Sequence, residues 1–308
     1  MKMALIVFAF LLLILIGATV YFFVFAIVRR KEPIDFTSSE KWAVFQEQIK
    51  KGREWFEDNT YEKVEIKSYD GLRLCGRLYR NVDSKKTLLL MHGYHSVGTN
   101  DFGCVGDFYF GLGFNLLVVD QRAHGESEGK YITFGVRERY DCIEWIKYLN
   151  GVFGEDSDIF LDGISMGAAT VLMASGLDLP KNVRGIIADC GFTSPHDIFC
   201  HVLKKSYHLP PFPLIYTTDL LSRAVAGFGF REYSTIEAMK KNNVPVIFVH
   251  GADDDFVPTR MSRECYDACT AKKQITIVEG ADHGMSYLCD RENCERQLKE
   301  FLYTHSTK

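Results

Sequence analysis

Residues 3–28 are an unbroken apolar run, and beyond it the chain changes to short apolar stretches separated by polar and glycine-containing turns. As a helix, the run extends about 39 Å at about 1.5 Å per residue, more than a hydrocarbon core of about 30 Å. A signal peptide has an apolar centre of only about 7 to 15 residues and then small residues at its cleavage site. Here Tyr21-Phe22-Phe23-Val24-Phe25 occupies that place, so the run reads as an uncleaved membrane anchor. Arg29, Arg30 and Lys31 follow it and only Lys2 precedes it, a bias that predicts a cytoplasmic position for the rest of the chain. The charge difference is small, and the opposite orientation is the alternative.

Next, Thr37-Ser38-Ser39-Glu40 has capping-box spacing, and Trp42, Phe45, Ile49 and Phe56 recur near one helical face. This predicts an amphipathic helix, lying on the membrane or, as the plainer reading, packed on the following domain. From Tyr61 the period becomes two. Val64, Ile66, Leu72, Leu74 and Leu78 flank an Asp70-Gly71 turn, which predicts a hairpin. Fully apolar runs at 87–91, 114–119, 158–161, 183–188, 244–249 and 274–278 predict buried strands, with helical stretches at about 136–149, 168–175, 260–270 and 285–303 among them. Such alternation predicts an α/β fold with a doubly wound, mostly parallel sheet. Between Thr193 and Met239 the alternation breaks into proline-rich and aromatic clusters, read as an inserted helical cap. The expected organisation is an anchor with its basic flank over 1–31, a juxtamembrane helix over 32–60, and a domain over 61–308 with its cap at about 193–239.

Composition changes this picture little. The chain is 47% hydrophobic and 25% charged with a formal net charge of −4, which fits an ordinary globular core and offers no basic face for nucleic acid. Nine cysteines, an odd number partly inside apolar runs, favour a reducing compartment. Cys265, Cys269, Cys289 and Cys294 are the nearest thing to a zinc set, but they lack a C-x-x-C knuckle and read as buried thiols.

Chemistry enters through Gly163-Ile164-Ser165-Met166-Gly167. A strand turning directly into a helix through G-x-S-x-G lifts the serine hydroxyl clear of the sheet edge, which makes Ser165 a candidate nucleophile. A serine hydroxyl needs a base, and that base needs a carboxylate to fix its tautomer. Asp254 and His283, each just beyond a predicted strand, supply them, with Asp253 and Asp255 as alternatives for the acid. His95 is a candidate for the pocket lining.

These residues carry a resemblance. From about Tyr61 onward the chain resembles the α/β-hydrolase superfamily, especially its membrane-anchored bacterial serine hydrolases with a short cap. The match rests on His92-Gly93, Asp120-x-Arg122-x-His124-Gly125-x-Ser127, Gly163-x-Ser165-x-Gly167, His250-Gly251-x-x-Asp254-x-x-Val257-Pro258 and Asp282-His283-Gly284. The resemblance implies Ser165 as nucleophile, His283 as general base and then acid, Asp254 as orienting carboxylate, and the amides of Tyr94 and Met166 as the oxyanion hole. It implies structural roles for His92 and His124. The expected activity is hydrolysis of an acyl ester through an acyl-enzyme, with no metal or organic cofactor and a small or lipid-like acyl substrate. Peptidase, acyltransferase or thioesterase activity on the same fold, or a catalytically silent tethered binding module, are the alternatives.

Overall fold

The computed structural model describes residues 1–30 and 40–307. The capping box expected at Thr37 and the last basic residue of the flank, Lys31, lie outside the described residues. Eight strands form one sheet: β1 (Glu62–Lys67), β2 (Arg73–Tyr79), β3 (Lys86–Met91), β4 (Asn115–Val119), β5 (Asp158–Ile164), β6 (Val183–Asp189), β7 (Val246–Gly251) and β8 (Lys273–Val278). Their spatial order is β1-β2-β4-β3-β5-β6-β7-β8. The expected hairpin is β1–β2, with Ile66 opposite Leu74; β2 also runs antiparallel to β4, and every remaining pair is parallel.

The apolar runs are continuous because both faces of the sheet are covered. Along β3, Leu89 and Met91 enter one core with Trp145, Leu161 and Val171, whereas Leu88 and Leu90 enter the other with Phe114, Phe160 and Phe301. After β3 the chain forms β4 on one side and then returns to place β5 on the other side of β3. The carboxyl ends of β3 and β5 are thereby neighbours, Met91 pairing with Gly163, at the switch point where open sheets of this kind bind ligands.

The juxtamembrane segment folds as two helices, Glu40–Ala43 and Gln46–Asp58, rather than one. The longer packs on the domain. Its Gly52 lies so close to the helix Gly103–Gly111 that a Cβ there would stand 2.2 Å from the Gly103 carbonyl oxygen, and Phe56 covers Gly106. Over the strand ends, the helices Pro195–Ser206 and Leu214–Val225 form the cap. The first starts where the Ser194 hydroxyl accepts the Asp197 amide at 3.1 Å and Pro195 supplies a preset φ. The following helix, Thr235–Met239, lies at the edge of the cap stretch expected from sequence, and its Ala238 and Met239 join the core beneath the sheet.

The apolar run is a helix, Lys2–Ile27, long and apolar enough to cross a membrane, as are many signal sequences. Most of its side chains up to Ile16 are exposed, whereas Thr19, Phe23 and Ile27 are buried against the cap and neighbouring loops. We expect Phe160→Ala, which empties a fully buried site between Phe114 and Phe301, to lower the unfolding free energy by about 3–5 kcal/mol in denaturant titration, and Val82→Ala, at an exposed position, to leave it nearly unchanged.

Candidate active site

Ser165 sits between β5 and the helix Met166–Ala174 with φ +57° and ψ −112°, a conformation costing a non-glycine residue about 1–3 kcal/mol. The flanking glycines make the turn possible. A Cβ on Gly163 would meet the Gly167 carbonyl carbon at 2.3 Å, and one on Gly167 would meet the Met91 carbonyl oxygen at 1.8 Å. The helix therefore starts tight against the end of β3, and Ser165 projects from that corner.

The Ser165 hydroxyl lies 2.9 Å from His283 Nε2, and His283 Nδ1 lies 2.7 Å from Asp254 Oδ2. Of the three adjacent acids, Asp254 alone is buried; Asp253 and Asp255 are exposed, and Asp255 pairs with Lys205 at 3.0 Å. Asp254 Oδ1 accepts the amides of Phe256 at 2.9 Å and Val257 at 2.7 Å. Burial by itself would raise the Asp254 pKa, but His283, His250 and these donors outweigh it and hold the carboxyl well below the usual range. Burial would also depress the His283 pKa, and the charge and hydrogen bond of Asp254 overcome it, leaving the imidazole more basic than usual.

The amides of Tyr94 and Met166 have no hydrogen-bond acceptor among the described residues, and both residues lie beside Ser165 in an apolar chamber. Asp101, unremarked in the sequence, fixes the Tyr94 loop: one carboxylate oxygen accepts the Gly93 amide at 2.6 Å, the other the Ser96 hydroxyl at 2.5 Å. His250 is a second residue without a role assigned from sequence. Its Nε2 is 3.1 Å from Asp254 Oδ2 and its Nδ1 is 2.6 Å from the Ser262 hydroxyl, so it braces the acid from behind.

His92 and His124 lie in the loop framework: the Gln121 amide meets His92 Nε2 at 3.1 Å, and the His95 amide meets His124 Nε2 at 3.0 Å. His95 does not line either cavity at Ser165. It is buried behind Tyr94, with ring centroids 4.0 Å apart, and burial pushes its pKa down to about 4. Cys265 and Cys269 belong to the core beneath the sheet and Cys294 to a separate cluster near the carboxyl end of the chain, so the four candidate thiols do not converge.

Two cavities meet at Ser165. A cleft of about 420 Å³ reaches from Trp42 and Arg53 past His283 to the buried Asp162 and the half-buried Asp189. Burial keeps these acids protonated more readily than usual, raising Asp162 to about 8 and Asp189 to about 6. The second cavity, about 170 Å³, is the apolar chamber under the cap.

The family model described as the prolyl oligopeptidase family matches residues 108–308. The uncharacterized protein YqkD of Bacillus subtilis is 28% identical over 264 residues, 84% of this chain and 86% of its own. The lysophosphatidylserine lipase ABHD12 of Rattus norvegicus is 23% identical over 206 residues, 62% of this chain and 49% of its own. Among solved structures, an esterase of Pyrococcus furiosus shares the fold, with a TM-score of 0.68 over 91% of this chain and 99% of its own at 23% identity.

The electrostatics of the imidazole are open to direct measurement. Asp254→Asn removes the group that raises the His283 pKa and leaves the opposing burial in place. The expected outcome in an NMR titration is a His283 pKa above 6.5 in the parent protein and a lower one in the variant.

Proposed function

The chain belongs to the prolyl oligopeptidase family and is an α/β-hydrolase, and from that premise we propose that it is a serine hydrolase cleaving acyl esters. The observation that supports this reading most is the unbroken line from the Ser165 hydroxyl through both nitrogens of His283 to Asp254. In the first half-reaction Ser165 Oγ bonds to the acyl carbon while its proton passes to His283 Nε2. The ester C–O bond then breaks, and the alcohol leaves with that proton. In the second, water gives its proton to His283 and its oxygen to the acyl carbon, and the acid departs as the proton returns to Ser165. The amides of Met166 and Tyr94 receive the developing oxyanion, a donor of this kind contributing about 2.7–4 kcal/mol at the transition state.

The apolar chamber favours an acyl group over a peptide. Asp255 and Asp282, at the mouth of the cleft, are already paired with Lys205 and Lys41, so neither carboxylate is presented unpaired to a peptide's amino terminus. The family's name keeps the peptidase as the second reading, and matched ester and amide substrates separate the two. The basic flank supports a cytoplasmic position for the domain, although Arg29 also serves the fold, its guanidinium bonding the carbonyls of Ser127 and Gly125 at 2.6 Å. A membrane-impermeant maleimide applied to intact cells should leave the exposed Cys289 unlabelled, and labelling there would place the domain outside.

For the reaction itself, a fluorophosphonate probe is expected to label the protein and to lose its target in Ser165→Ala; a silent binding module would not label at all. Asp254→Asn should cost about 10⁴-fold in kcat by analogy with serine-protease triads. Because the neutral imidazole is the base, kcat/KM should fall as pH drops through the His283 pKa. That limb lies above 6.5 in the parent protein, since Asp254 raises the pKa.

A further inference from the structure

The apolar chamber has an unexpected wall. Beside Phe199, Leu203 and Tyr207 of the cap, its lining includes Phe22, Phe25 and Ala26, from the last two turns of the anchor helix. Those turns are fastened to the catalytic loops at several points. The Phe25 carbonyl accepts the hydroxyl of Tyr94 at 3.0 Å, and Tyr94 is the residue whose amide faces the reaction. The Ile27 carbonyl accepts the Ile132 amide at 2.8 Å, the Arg29 amide donates to Lys130 at 2.9 Å, and Thr19 meets Thr217 of the cap at 2.6 Å. The Phe22 ring stands edge-on to Tyr207, with centroids 4.9 Å apart.

Further toward its amino terminus the same helix leaves the protein. Phe8 is 66% and Leu13 67% exposed, and the cap helix Leu214–Val225, which packs against this one, presents Leu220 at 68%, with Phe212 at 72% just ahead of it. Between the exposed stretch and the chamber, Leu15, Ala18, Phe22 and Ala26 of the helix pack against the apolar cluster of the cap, and the Thr19–Thr217 hydroxyls bond to each other rather than facing the path. Exposed apolar surfaces of this kind suit a hydrocarbon surround. At the inner end, Ser165, Tyr94 and Phe256 border both the chamber and the polar-mouthed cleft, so a molecule lying across Ser165 would put an apolar end in one and a polar end in the other.

We propose that the anchor helix is the outer wall of an acyl-binding chamber, and that the substrate is a bilayer-resident ester. One acyl chain passes along the anchor from the membrane into the chamber, and the polar alcohol portion occupies the cleft. This rests on the serine-hydrolase reading and adds to it the substrate class and three specificity-determining residues, Phe22, Phe25 and Ala26. A chain that moves from bilayer to chamber between apolar walls is never exposed to water, which is the physical advantage of building the site on the anchor.

The test uses the full chain in phospholipid nanodiscs and p-nitrophenyl esters of graded length. Ala26→Trp, which fills the chamber, should lower the ratio of dodecanoate to acetate hydrolysis at least tenfold. Phe22→Ala, which widens it, should raise the ratio of hexadecanoate to dodecanoate hydrolysis at least threefold, and it keeps the proposal testable should the tryptophan variant misfold. At fixed bulk ester, the rate should follow the ester's mole fraction in the bilayer. A readout independent of catalysis is binding of a fluorescent dodecanoic acid to Ser165→Ala protein, expected to weaken at least tenfold when Ala26→Trp is added. Unchanged length ratios together with unchanged chain binding would overturn the chamber, and a rate that follows bulk concentration would overturn delivery from the bilayer. Absence of fluorophosphonate labelling would instead sink the hydrolase reading, while the binding arm still decides whether the anchor walls an acyl site.

Discussion

The close approach of Gly167 to the carbonyl of Met91 is the constraint from which the rest of the site follows. It sets the first turn of a helix against the end of β3, and it is possible only without a side chain at position 167. With the helix there, Ser165 has to adopt a positive φ, and its hydroxyl is forced out of the sheet toward His283. The backbone strain is held by two paired strands, since β3 is bonded to β5 along its whole length, up to Met91 opposite Gly163. The fold supplies a rigid corner, and the chemistry is placed on it.

Carboxylates around that corner show how position sets chemical state. Asp254 is kept charged because two imidazoles and two amides converge on it. Asp162, on β5 itself, has the Tyr109 hydroxyl at 2.7 Å as its one side-chain partner among the described residues, and burial raises it to about 8. The sequence motif around Arg122 turns out to be framework: its guanidinium joins Asp70 of the hairpin turn to Asp141 of the helix Glu138–Phe153, at 2.9 and 2.6 Å. The hairpin is thereby locked to the loop that contains His124, whose ring supports the backbone beside Tyr94.

The amino-terminal apolar helix gives this frame an additional part. Its last turns are packed into the domain, its carbonyls accepting hydrogen bonds from Tyr94 and Ile132 and its side chains entering the chamber. The Tyr94 loop, cap and apolar helix are therefore one packed unit, with the apolar chamber at their junction.

Strand positions were legible in the sequence because their period is local. Apolar runs between glycine turns mark buried strands wherever they occur, and β3 to β7 fall where those runs are. The order of Ser165, Asp254 and His283 along the chain was equally plain, since each follows such a strand. What the sequence could not contain was distance. That Asp254 rather than Asp253 or Asp255 faces the imidazole depends on which residue of the turn after β7 points inward. That His95 lies behind Tyr94 depends on a positive φ imposed by the loop's packing. The roles of Asp101 and His250, and the entry of Phe22, Phe25 and Ala26 into the chamber, had no signature, because a helix apolar on every side does not reveal which face meets protein. Local pattern decided the elements; only contacts between residues far apart in the chain decided what those elements enclose.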